Sequence, residues 1–96
     1  MTSDVEAPQV VAVGKPFEVR LRAYPGSGAL WHFITEPGTA RLLERRTEPS
    51  ASIGGEAAQV FVFDPDVGGR LDLRFVLRRP WEAEVRREIT VTIRAE

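Results

Sequence analysis

Phe17-Glu18-Val19-Arg20-Leu21-Arg22-Ala23 alternates apolar and charged residues without interruption. In an extended chain successive side chains point to opposite faces, so Phe17, Val19, Leu21 and Ala23 share a buried face while Glu18, Arg20 and Arg22 stay wet. Turn signals bound this strand on both sides. Upstream, the β-branched run Val10-Val11-Ala12-Val13 is closed by Gly14-Lys15-Pro16, which reverses the chain. Downstream, Tyr24-Pro25-Gly26-Ser27-Gly28 breaks the pattern, and its two glycines permit positive φ and close approach of bare backbone to whatever lies opposite.

The same grammar continues to the C-terminal end. Leu30 to Thr35 is extended, with Trp31 and Phe33 on one face, His32 and Ile34 on the other, and Trp31 directed into the core. A turn at Glu36-Pro37-Gly38-Thr39 leads to Ala40 to Arg46, which is assigned as strand. Its Leu42-Leu43 pair gives no clean period, and Arg41 to Arg45 are also good helix formers. Thr47 to Glu56 is the longest loop, rich in Ser, Pro and Gly and ending Ser52-Ile53-Gly54-Gly55. Ala58 to Phe63 is apolar on both faces, as in a strand covered on both sides. Asp64 to Gly69 turns the chain into Arg70 to Leu77, and Val85 to Ile93 is the last strand. Between these two, Arg79-Pro80-Trp81 interrupts the pattern, because proline lacks the N–H that a central ladder needs. Trp81 therefore stands on a loop, either capping the end of the core or anchoring a partner with a large, stiff apolar surface.

Composition narrows the function classes. The 96 residues make one domain, 1–96, with residues 1–7 expected to be a loose leader. With no cysteine there is no disulfide framework, thiol nucleophile or zinc–thiolate site. A net charge of -1 provides no broad positive field for nucleic acid, and the pairs Arg45-Arg46, Arg78-Arg79 and Arg86-Arg87 read as solvated faces. No apolar run approaches a membrane span, and the polar, acidic opening Met1-Thr2-Ser3-Asp4 is unlike a signal peptide, so the chain is expected to be cytoplasmic. Lys15 is the one lysine among many arginines, which points to a GC-rich bacterial genome. Asp64 and Asp66 stand two apart beside glycines, but the distal Glu of a calcium loop is missing, so no metal and no cofactor are expected. Catalysis is not expected either. His32 lies mid-strand, and Ser27 with Glu82 or Glu84 lacks a histidine base. The two glutamates read as solubilising their loop.

Six or seven short strands with frequent turns and no strong helix indicate an all-β, immunoglobulin-like antiparallel β-sandwich of about seven strands. If each successive strand reverses direction, every second connection falls at the same end. Gly14 to Pro16, Glu36 to Thr39 and Asp64 to Gly69 then share one end. Tyr24 to Ala29, Thr47 to Glu56 and Arg78 to Ala83 share the other, so the glycine-rich, longest and Trp-bearing loops are grouped on one side of a rigid scaffold.

With three loops in this order, the chain resembles the chagasin-type inhibitors of papain-like cysteine proteases. That family shows Asn-Pro-Thr-Thr-Gly followed by an aromatic and a Trp, then Gly-x-Gly-Gly, then Arg-Pro-Trp. The matching stretches are Tyr24-Pro25-Gly26-Ser27-Gly28-Ala29-Leu30-Trp31, Ser52-Ile53-Gly54-Gly55 and Arg79-Pro80-Trp81, and the resemblance runs from about Val10 to Ile93. It implies a reversible, non-covalent inhibitor whose three loops block a protease cleft. By resemblance, Pro25, Gly26, Ser27 and Gly28 would lie over the catalytic Cys, and Ile53, Gly54 and Gly55 would run beside bound-substrate positions. Trp81, with Arg79 and Pro80, would stack on a protease aromatic across the cleft, acting from a monomer. Tyr24 replaces the family's Asn, Gly26 its first Thr, and Ala29 its aromatic, which implies a looser, less hydrophobic first loop. The competing expectation is a non-inhibitory immunoglobulin-like module that uses the same loop face for another protein or a glycan.

Overall fold

The alternating heptapeptide forms β3 (Phe17–Ala23), with every second side chain buried. The computed structural model describes residues 5–23, 26, 28–34, 40–49 and 57–96. Within them β3 pairs antiparallel with β6 (Ala57–Asp64), from Phe17 opposite Phe63 to Ala23 opposite Ala57. β6 continues the sheet to β5 (Arg41–Pro49), and a short β1 (Val5–Glu6) flanks β3 on the far side. The second sheet has the order β2 (Val10–Val11), β8 (Arg87–Ala95), β7 (Gly69–Arg78), β4 (Leu30–Ile34). Among the described residues eight strands thus form two four-stranded sheets, and there is no α-helix.

Aromatic side chains from the facing sheets fill the space between them. Phe61 and Phe75 meet edge-on at 5.0 Å between centroids, and Phe33 meets Phe63 at 4.8 Å. Such tilted and edge-to-face pairs suit the ring quadrupole and add to the apolar burial of Val19, Leu21, Leu71, Leu73 and Ile93. β6 is apolar on both faces because it is central. Its outward Val60 is fully buried between Arg20 of β3 and Arg46 of β5, which lie opposite it in register. Arginine stems cover apolar surface while their heads reach water. Here the heads pair with glutamates: Arg46 with Glu18 at 3.0 Å, Glu44 at 2.9 Å and Glu48 at 3.0 Å, and Arg20 with Glu48 and, at 3.9 Å, with Glu6. Hydrogen bonds from Arg20 and then Arg46 hold the Glu48 carboxyl below its usual range. Exposed pairs of this kind stabilise little individually.

Several boundaries differ from the sequence expectation, each for a local reason. Val5 and Glu6, assigned to a leader, pair with Leu21 and Arg20 as β1. Val10–Val11 alone, not Val10 to Val13, is strand. It lies parallel to β8, where Arg94 N–H donates to Gln9 C=O, Glu96 N–H to Val11 C=O, and Val13 N–H to Glu96 C=O. The Leu42-Leu43 irregularity is a β-bulge: the register shifts between Leu42 and Glu44, and Leu43 is left 45% exposed. β5 then continues through Thr47, Glu48 and Pro49, residues expected in the long loop, because they pair with Gln59, Ala58 and Ala57. β8 begins at Arg87 rather than Val85, since the Arg86 N–H closes the preceding loop on Leu77 C=O.

Candidate loop face for protease binding

The registers place the loop-bearing ends together. Ala23, Ala57 and Pro49 lie side by side where β3 ends, β6 begins and β5 ends. In the facing sheet Leu30 is opposite Arg78, and Leu77 opposite Arg87. Gly28 brings the two sheets' loops into contact. It has φ +82°, and a Cβ there would lie 2.8 Å from Trp81 Cη2 and 3.6 Å from Arg79 Nε. Glycine is required on both counts, because an L side chain strains at that φ and would also strike the indole. At the opposite end the Gly14 N–H bonds Pro65 C=O, joining two of the compact turns expected there.

Trp81 rests the edge of its six-membered ring on Gly28 and leaves 71% of its surface exposed. It is no cap over the core. The buried indole is Trp31, 3% exposed, whose Nε1–H donates to Arg22 C=O at 3.0 Å and whose ring lies 5.9 Å from the Arg87 guanidinium. Gln59 fixes the same residue from the other sheet. Its Oε1 accepts the Trp31 N–H at 2.7 Å and its Nε2 donates to Trp31 C=O at 3.2 Å. β4 is an edge strand, and the Gln59 amide stands in for the ladder partner Trp31 lacks on that side. The strand on which the first loop lands is thereby held to both sheets. Sequence reading missed Gln59. The one available signal was a lone amide in an otherwise apolar strand, buried to 8% exposure.

The β7–β8 loop is organised by Glu82. Its N–H bonds Arg79 C=O at 3.0 Å, closing a turn with Pro80 and Trp81 at its corners. Its carboxylate meets Arg79 Nη1 at 3.2 Å and Arg86 Nη2 at 3.9 Å, and its C=O accepts from Arg78 Nη1 at 3.3 Å. Arg78, Arg79 and Arg86 are thus braces within the loop rather than a merely solvated face, and Glu82 does more than solubilise it. The Arg79, Glu82, Arg86 spacing was the signal for this arrangement. Of the other expected site residues, Gly26 is exposed with open space around it, and Pro80 is exposed beside Trp81. Pro25, Ser27, Ile53, Gly54 and Gly55 lie outside the described residues.

Beside this end, a cleft of about 440 Å³ opens between the edges of β4 and β5, lined by Trp31, His32, Arg45, Thr47 and Gln59. His32 was expected on a wet face but is half-buried, and its Nε2 lacks a hydrogen-bond partner among the described residues. Burial first, then the Arg78 and Arg45 charges, hold its pKa below the ordinary 6.5. Among the described residues no group of three or more potential metal ligands is assembled.

No curated protein sequence matches. Among solved structures, the crystal structure of the cysteine protease inhibitor EhICP2 from Entamoeba histolytica superposes with a TM-score of 0.73 at 18% identity, covering 91% of this chain and 83% of that one. At that identity the likeness concerns the fold. The profile described as chagasin family peptidase inhibitor matches residues 10–94, from the start of β2 to Arg94 near the end of β8. The chain belongs to the chagasin family of peptidase inhibitors.

Proposed function

We propose that this protein is a reversible, non-covalent inhibitor of papain-like cysteine proteases, acting as a monomer. The observation that carries the reading is the seam between Gly28 and Trp81: a mostly exposed indole is seated against the backbone of the glycine-rich loop at one end of a rigid sandwich. A large aromatic kept out of its own core at such a seam has the properties of an interface anchor.

The first loop, Pro25 to Gly28, occupies the catalytic centre and presents main chain to the catalytic Cys. Ile53, Gly54 and Gly55 follow the substrate cleft, where glycine admits close backbone contact. Trp81 packs on the opposite wall, with Arg79 and Pro80 setting its approach. The inhibitor performs no chemistry. Its affinity is supported by the scaffold's hold on Gly28 and on the β7–β8 loop before association, which lowers the conformational cost of binding.

The test is steady-state inhibition of papain and a cathepsin L-like enzyme by the wild type and Trp81→Ala. The expected result is dose-dependent inhibition that weakens in the variant by about 30- to 1,000-fold, or about 2–4 kcal/mol, with an unchanged melting temperature. A flat response up to roughly 100 μM, where binding of about -5.5 kcal/mol is still visible, sinks the reading.

A further inference from the structure

Trp81 is 71% exposed and turns one edge of its ring to Gly28, yet a binding anchor is useful only if it is held in place. We infer that Glu82 is the positioning residue for Trp81, fixing the indole through a charge clamp on Arg79 and Arg86; this rests on the reading of Trp81 as the protease anchor.

Four interactions converge on Glu82. Its N–H closes the Arg79-to-Glu82 turn, in which Trp81 occupies the third position. The Glu82 C=O receives Arg78 Nη1 at 3.3 Å, tying the turn to the end of β7. One carboxylate oxygen holds Arg79 at 3.2 Å, and the other faces Arg86 at 3.9 Å on the return to β8. Arg86 in turn closes the base of the loop through its N–H bond to Leu77 C=O. The side chain therefore spans both limbs of the loop, joining residue 79 to residue 86.

Arg79 carries the clamp across to the indole. Its Nε lies 3.6 Å from the Cβ position at Gly28, beside the 2.8 Å approach of Trp81 Cη2 to the same point. The guanidinium that Glu82 holds and the edge of Trp81 thus form one surface against the first loop. Proline at the second position of the turn pre-sets its own φ, but it leaves the direction of the whole loop free. The charges supply that direction. The side chains of Arg79 and Glu82 are 33% and 31% exposed, shielded enough to keep a fixed geometry and open enough to be screened by salt.

Removing the carboxylate should leave the turn hydrogen bond in place and let the loop swing, lowering the fraction of molecules in the binding-competent pose. Apparent affinity falls in proportion to that fraction. The expected Ki increase on papain is about 10-fold for Glu82→Ala and about 3-fold for Glu82→Gln, which keeps an acceptor for Arg79 but loses the charge.

The experiment labels the protein with 5-fluorotryptophan and records ¹⁹F spectra of wild type, Glu82→Ala and Glu82→Gln beside inhibition constants at low salt and at roughly 1 M NaCl. The expected result is a Trp81 resonance that shifts or broadens in Glu82→Ala while the buried Trp31 resonance stays put. The Ki gap between wild type and Glu82→Ala should shrink in high salt. An unchanged Trp81 resonance and unchanged Ki overturn the clamp, and so does a Ki gap indifferent to salt. If the Trp81 resonance responds to Glu82→Ala but neither wild type nor any variant inhibits, the clamp stands and the inhibitory reading falls.

Discussion

Gly28→Ala separates the fold from the binding face more sharply than any other single change. The new Cβ would lie 2.8 Å from Trp81 Cη2, so the indole must retreat by about 0.6 Å to regain ordinary van der Waals contact. The residue would also sit at φ +82°, which costs an L side chain roughly 1–2 kcal/mol. Trp81 is exposed and can move without opening the core, so the stability loss should stay near that backbone figure. For a domain of this size it is a fall in melting temperature of roughly 5–15 °C. Binding should suffer more, since displacing an anchor forfeits part of an interaction worth about 2–4 kcal/mol and disturbs both loops at once. The expected increase in Ki on papain is at least about 10-fold, equivalent to about 1.4 kcal/mol. Gly14→Ala is the control, because Gly14 has the same φ of +82° with open space around it and lies at the opposite end of the sandwich. Thermal denaturation and inhibition assays on the two variants decide the matter. If Gly28→Ala raises Ki no more than Gly14→Ala does, the contact between the two loops does not govern binding.

Two further outcomes follow from the strand that supports the first loop. Gln59→Leu preserves bulk but leaves the N–H and C=O of Trp31 unpaired in a buried site, costing about 2–4 kcal/mol. A fall in melting temperature of roughly 10–25 °C is expected, and a fall under about 5 °C would show that the amide is dispensable. For His32, a folded-state pKa below 6.5 means that the unfolded chain binds the proton more readily. The stability it contributes is therefore present above the unfolded value and is lost as pH falls from 6.5 through the lower folded value. Chemical denaturation of wild type at pH 7.5 and 5.5 should show this loss, and His32→Gln should remove most of the difference; an equal loss in both proteins would assign it to other groups.

The sandwich was legible because its strands announce themselves by alternation. β3, β4 and the core half of β8 follow from period two alone, and strict reversal of direction was enough to group the loops. What escaped was information carried between strands. The bulge at Leu42 to Glu44 disrupts the local period, so β5 looked ambiguous and too short, although its pairing with β6 carries it to Pro49. Val5–Glu6 has no pattern of its own and becomes a strand only because β3 offers an edge. Gln59 and Glu82 were passed over because a single polar residue in an apolar strand, or in a charged loop, has no visible partner until the fold brings one. The exposure of Trp81 could not be decided from Arg79-Pro80-Trp81, since a capping indole and an anchoring indole need the same residues.

The parallel pairing of β2 with β8 has a mechanical consequence. Most neighbouring strands here are antiparallel, but the hydrogen bonds from Arg94, Glu96 and Val13 join segments from opposite ends of the sequence that run in the same direction. Tension applied between the region before β2 and the region after β8 pulls the two strands along each other. All three bonds then share the load in shear and must yield together, instead of opening one at a time like a zip. Resistance to such a pull thus resides at the sandwich edge formed by β2 and β8, while the proposed protease-binding face lies among the loops, so either property can change without the other.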